Sequence, residues 1–180
     1  MTTKAEQLFL EAECDIRNSN YHEAFAKYES ILYEEPGFAP AHNSIGWIYK
    51  TQLDDFANAE IHFKAALQND PLYPHPYFHL ASIYFELEDL DKLSEHLDKC
   101  KNIKAIEKSW IHHKRGSLAE LMYSFSEAIN HYKMAILESF NNERMAEYKA
   151  DIERCEQKEE LYIASKIVKG VRVFNNSKTK

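Results

Sequence analysis

His42-Asn43-Ser44-Ile45-Gly46-Trp47-Ile48-Tyr49, followed by Ala59-Glu60-Ile61-His62-Phe63 and closed by Asn69-Asp70-Pro71, is the stretch that decides the fold. Ala41, Ile45, Ile48 and Tyr49 fall at helical spacing, and so do Ala59, Phe63, Ala66 and Leu67. Asp54-Asp55 separates the two runs, and Pro71 stops the second, because proline cannot continue a helix. The stretch therefore reads as two helices joined by a short turn.

Working outward, the same pattern recurs. Ala24-Phe25-Ala26-Lys27-Tyr28, Ala59 to Phe63, Leu93-Ser94-Glu95-His96-Leu97 and Ala128-Ile129-Asn130-His131-Tyr132 start at intervals of 35, 34 and 35 residues. Tyr21, Phe56, Leu90 and Phe125 each stand three residues before one of these segments. A second set, Ala12, Gly46, Ala81 and Gly116, keeps the same beat on the preceding helix. A small residue lets two helix backbones approach, and the aromatic one turn later fills the adjacent gap. Asn18-Ser19-Asn20 and Glu34-Glu35-Pro36-Gly37 punctuate the first unit as Asp54-Asp55 and Pro71 punctuate the second. One helix pair cannot bury its own apolar face, so such units stack in arrays.

On these residues the chain resembles the tetratricopeptide repeat family. The second unit matches best, with Ile45, Gly46, Tyr49, Ala59, Phe63 and Pro71 in register, although His42 stands where the family prefers Trp. The third keeps Tyr77, Leu80, Ala81 and Tyr84 but has Leu93 and Leu97 for Ala and the aromatic. The first keeps Leu8, Ala12, Ala24, Tyr28 and Pro36; the fourth keeps Gly116, Ala128, Tyr132 and Ala135. The resemblance implies an all-α fold, a right-handed α-α superhelix or solenoid of antiparallel helix pairs. The pairs are expected over about 4–37, 38–72, 73–105 and 106–140. Residues 141–168 then read as a capping helix, with Tyr148, Ile152, Cys155 and Tyr162 on one face and charge on the other. Residues 169–180 read as a basic tail. Within it Val171-Arg172-Val173-Phe174 alternates and is β-prone, and folding back, adding to a partner and disorder all stay open.

In this family the first helices line a concave face that holds a peptide. Matched to the Ala/Gly positions, the resemblance places Glu6, Phe9, Glu13, Asn43, Trp47, Lys50, His75, Phe78, Ser82, Phe85, Trp110 and His113 on that face. Aromatics with a few polar groups suit such a groove. Some members grip carboxylates of heat-shock chaperones through Lys, Asn and Arg. The matching positions here are Phe9, Glu13, Asn43, His75 and His79, of which only Asn43 agrees, so no such clamp is expected.

Other functions find little support. The net charge of −7 opposes binding to a phosphate backbone, so no nucleic acid partner is expected. The tail from Leu161 on is basic (Lys166, Lys169, Arg172, Lys178, Lys180), which leaves the rest of the chain more acidic still. No signal-peptide layout and no membrane-length apolar run is present. Cys14, Cys100 and Cys155 are odd in number and far apart, which suits a reducing cytoplasm better than a disulfide framework. His112 and His113 are adjacent and diverge on a helix, and His75 and His79 lack a third ligand, so no metal or cofactor is expected. No nucleophile elbow, phosphate loop or metalloprotease helix occurs, and the chain reads as no enzyme. The expectation is an interaction scaffold or adaptor that binds a peptide or protein. A dedicated chaperone that holds a secreted or assembling client is the alternative, and self-association stays open.

Overall fold

The computed structural model describes residues 3–176, with side chains through Ile167. Among these residues the chain forms nine helices and no strand. They are α1 (Lys4–Arg17), α2 (Tyr21–Glu34), α3 (Ala39–Gln52), α4 (Phe56–Asn69), α5 (His75–Glu86), α6 (Leu90–Cys100), α7 (Lys108–Leu121), α8 (Phe125–Leu137) and α9 (Asn142–Asn176). The chain divides into two compact units, Met1–Ala105 and Ile106–Lys180.

The helix starts follow from local chemistry. Thr3 and Glu6 form a reciprocal capping box at α1. Asp55 and Asp89 occupy the same position in successive repeats, and each carboxylate accepts the N–H three residues on, at 3.0 and 3.1 Å. Pro40 and Pro76 sit in the first turns of α3 and α5, where a missing N–H costs nothing. The turns inside the pairs are also periodic. Ser19, Asp54, Glu88 and Tyr123 all have positive φ, between 51° and 62°, and none is glycine. In all four turns the following amide closes the helix end: Asn20 donates to the Asp15 carbonyl, Asp55 to Tyr49, Asp89 to Tyr84 and Ser124 to Ala119, at 2.8 to 2.9 Å.

In the first unit α1 packs on α2, α3 on α4 and α5 on α6, while α2 meets α3 and α4 meets α5. The first pair is antiparallel: Lys4 bonds Glu34, Glu13 bonds Tyr28 and Asp15 bonds Lys27. The core holds Ala12, Ala24, Tyr28, Ile31, Ala41 and Ile45, all at most 1% exposed. Gly46 lies so close to Phe63 that an added Cβ would fall 2.9 Å from the ring. The small residue of the first helix and the aromatic of the second therefore meet across the pair.

In the second unit α7 packs on α8, and α9 lies along α8. Gly116 approaches Tyr132 in the manner of Gly46 and Phe63. Helix α9 packs Ile152, Cys155 and Tyr162 against Ala119, Phe125, Ala128, Ile129 and Tyr132. Helix α9 continues to Asn176, so the backbone of Val171 to Phe174 is helical and not extended. A four-residue alternation has no neighbouring strand to pair with here, and β-propensity expresses itself only in such a context. The end of the basic tail, residues 177–180, lies outside the described residues.

Candidate functional site

On the first unit, α3 and α5 each gather polar and aromatic residues along one face. Helical spacing puts Asn43, Trp47 and Lys50 on one face of α3, and Phe78, Ser82 and Phe85 on one face of α5. All six are half-buried. Two local arrangements result.

The first is a cleft of about 210 Å³ lined by Glu13, Ile16, Tyr28, Asn43, Ser44 and Trp47. The Tyr28 hydroxyl donates to Glu13 Oε1 at 2.5 Å, and the Ser44 hydroxyl donates to the same oxygen at 3.1 Å. Burial, and then the adjoining carboxylate, push the Tyr28 phenol well above its ordinary value, so it stays a donor. The amide oxygen of Asn43 is buried without a hydrogen-bond partner. The Trp47 ring leans on Tyr21, with centroids 6.1 Å apart.

The second arrangement links α3 to α5. The Lys50 ammonium, with 14% of its side chain exposed, donates to Ser82 Oγ at 2.6 Å and meets Glu86 Oε1 at 2.9 Å. Ser82 in turn donates to Glu86. The hydrogen bond from Ser82 and the one from Lys50 hold the Glu86 carboxyl below its usual range.

The remaining expected residues are distributed differently. Phe9 packs against Tyr28 and Phe38, at 5.6 and 5.7 Å between centroids, on the core side of α1. The Glu6 carboxylate accepts the Thr3 N–H and serves the helix start. His75 is exposed beside the Tyr73 ring. In the second unit Trp110 is half-buried. There the His113 Nε2 meets Asp151 of α9 at 3.0 Å, and its ring lies 4.8 Å from Tyr148. Spacing from the small residue does not anticipate Ser44, Tyr28 or Glu86 as members of the face. Tyr28 carries the repeat's core aromatic, and only the reach of its hydroxyl brings it to the cleft.

The histidines adopt an arrangement that the residue order does not suggest. His42 and His62 bring their Nδ1 atoms to 3.2 Å, and His112 and His131, at corresponding places two repeats on, bring theirs to 3.4 Å. His42 Nε2 also lies 3.0 Å from the Pro36 carbonyl, which fixes it as the protonated nitrogen and leaves Nδ1 to accept. With that tautomer, the His62 Nδ1–H is the donor of the first pair. Among the described residues no three or more His, Cys, Asp or Glu group as a metal site. No described helix is long and apolar enough to cross a membrane.

His79, at a position where a carboxylate clamp would need a cation, stacks on Phe63 at 4.7 Å. Burial, and then the charge of Lys50, lower its pKa to about 4, so the ring is neutral at pH 7. Burial likewise lowers His62 and His96. A histidine depressed in the folded state binds its proton more readily when unfolded, so stability falls as pH drops below about 6.5. Between pH 6.5 and 5 we expect His79 to contribute a loss on the order of 1 kcal/mol. His79→Phe should flatten the slope of melting temperature against pH in that window, and an unchanged slope would show that His79 is not the titrating group.

The geometry thus defines a helical-repeat protein with side chains gathered on the faces of its first helices. Residues 39–71 and 74–106 match the family model described as tetratricopeptide repeat, and the chain carries repeats of that family there. No curated protein sequence matches the chain. Among solved structures it is similar to a thermophilic tetratricopeptide-repeat protein of Thermus thermophilus, TTC0263, at 15% identity and a TM-score of 0.63, over 83% of this chain and 82% of that one. It is also similar to the MamA protein, at 14% identity and a TM-score of 0.62, over 90% of this chain and 97% of that one. A second MamA structure gives 15% identity and a TM-score of 0.60, over 91% and 99%. These likenesses establish the all-α helical-repeat fold. Tetratricopeptide repeats in general are scaffolds for binding other proteins.

Proposed function

We propose that this chain is a protein-interaction scaffold that holds a segment of a partner protein on the first-helix face of its first unit. The observation that carries the reading is the cleft at Glu13, Asn43 and Trp47, where an aromatic ring and hydrogen-bonding groups flank a buried acceptor with no donor. Burying such a group unsatisfied costs about 1–3 kcal/mol, and a ligand donor recovers it. Phe78 and Phe85 extend the same kind of surface on α5. Trp110 is the corresponding candidate on the second unit. The three free thiols, two of them buried, fit a reducing compartment such as the cytoplasm.

The test uses Trp47→Ala combined with Phe78→Ala. A partner captured by the intact chain is purified, and its affinity for both forms is measured. We expect the double variant to bind at least 10-fold more weakly while keeping its helical circular dichroism, in line with loss of two aromatic contacts worth more than about 1 kcal/mol together. Equal affinity would move the partner site elsewhere.

A further inference from the structure

The cleft on α1 and α3 differs from a carboxylate-binding groove in sign. It presents oxygens that accept nothing from the protein among the described residues. Glu13 uses Oε1 for both protein donors, Tyr28 and Ser44, and no hydrogen bond from the protein reaches Oε2 among the described residues. The Asn43 oxygen is buried without a donor. The nearby cation on α3, Lys50, is committed to Ser82 and Glu86. Lys27, on α2, is committed to Asp15. A hollow of about 210 Å³ is smaller than the roughly 300–1,000 Å³ of small-molecule sites and suits a single side chain.

We propose that this cleft receives an arginine side chain from the partner segment. A guanidinium offers several donors in one plane, enough to meet a carboxylate oxygen and an amide oxygen together. Its flat face also stacks on an indole, and Trp47 forms one wall. A lysine supplies charge but not the planar fork, so it binds less well. Acidic segments are repelled by Glu13. The proposal rests on the first-helix face being the partner site, and it adds the chemistry that the face selects.

The probe is an acetylated and amidated pentapeptide, Gly-Ala-Arg-Ala-Gly, compared with the same peptide carrying citrulline, the neutral isostere. Both are titrated into the full ¹⁵N-labelled chain while the indole N–H signals of Trp47 and Trp110 are followed. The arginine peptide should move the Trp47 signal saturably and leave Trp110 still. Citrulline should bind at least 10-fold more weakly, and Glu13→Gln should weaken the arginine peptide by a similar factor. The amide oxygen of that variant would still accept the Tyr28 hydroxyl, so the local packing is preserved. Equal binding of arginine and citrulline to the intact chain would overturn the proposal without reference to any variant, and so would an unmoved Trp47. If the arginine peptide fails while Trp47→Ala with Phe78→Ala still loses the captured partner, the arginine chemistry is wrong and the groove reading stands.

Discussion

Replacing Glu120 by Ala should destabilise the second unit by about 3 kcal/mol and loosen α9 before α8. Glu120 leaves α7 with only 10% of its side chain exposed. Arg154 of α9 grips it through two nitrogens, at 2.9 and 2.6 Å, and Lys158, one turn on, adds a third contact at 2.7 Å. The Tyr132 hydroxyl of α8 donates to the same carboxylate at 3.0 Å. Three helices therefore converge on one side chain. Its removal leaves the buried Tyr132 hydroxyl only a 3.4 Å contact with Ser117 Oγ, leaves Arg154 only Asp151, and takes Lys158 from its counter-charge. Arg154 and Lys158 are about half exposed and can turn to water, which keeps the loss at the lower end of the range for broken buried pairs. Arg154 first, and then Lys158, hold the Glu120 pKa down to about 2. The stabilisation is therefore complete above about pH 4.5 and is lost as pH falls toward 2. Urea unfolding would measure the loss, and hydrogen exchange would locate it. Equal protection of α9 in the variant and the parent would show that the carboxylate does not anchor that helix. Glu120→Gln should abolish the acid-dependent part of the loss between pH 4.5 and 2.

Gly116→Ala should cost about 2 kcal/mol, against the usual gain from removing a helical glycine. The new Cβ would stand 2.5 Å from one ring carbon of Tyr132 and 2.6 Å from the next. That ring is fully buried and is tethered by its hydroxyl to Glu120, so it cannot swing aside. Gly46→Ala provides the contrast. There the closest approach is 2.9 Å, and Phe63 has no hydroxyl to tether it. Phe63 is itself fully buried, so the propensity gain offsets only part of the overlap, and Gly46→Ala should cost about 1 kcal/mol less than Gly116→Ala. A chemical denaturation series separates the cases. If both substitutions proved neutral, the helices would have room that the structure denies them.

These two predictions also mark what the residue order reveals. Gly46 with Phe63 and Gly116 with Tyr132 are legible because a backbone approach demands a small residue at a fixed interval from a large one. Glu120 is not legible in that way. Nothing in its spacing separates it from a solvated helix face. Its partners arrive from α9, 34 and 38 residues later, along a helix whose charges look like a water-facing stripe. The face expected to bind a partner shows the same division. Asn43 and Trp47 share one cleft, yet Phe9 and His113, at the same register as Asn43, are each covered by a later part of the chain. Phe38 covers Phe9, and Tyr148 covers His113. A rule based on distance from the small residue cannot tell whether the next element will close over a position. The length of α9 is obscured for a related reason, since Val171 to Phe174 imitates a strand only when read apart from the helix leading into it.

The four left-handed turn residues bear on how such a chain diverges. Ser19, Asp54, Glu88 and Tyr123 share a conformation but not a chemistry, ranging from a small hydroxyl to an exposed aromatic. Each carries a backbone penalty of about 1–2 kcal/mol that glycine would not. The bend is thus imposed by the paired helices on either side, and the residue at the bend is free to drift over generations. The same freedom left Tyr123 available to stack on Tyr162 of α9, turning a hinge with no requirement of its own into part of the terminal seal.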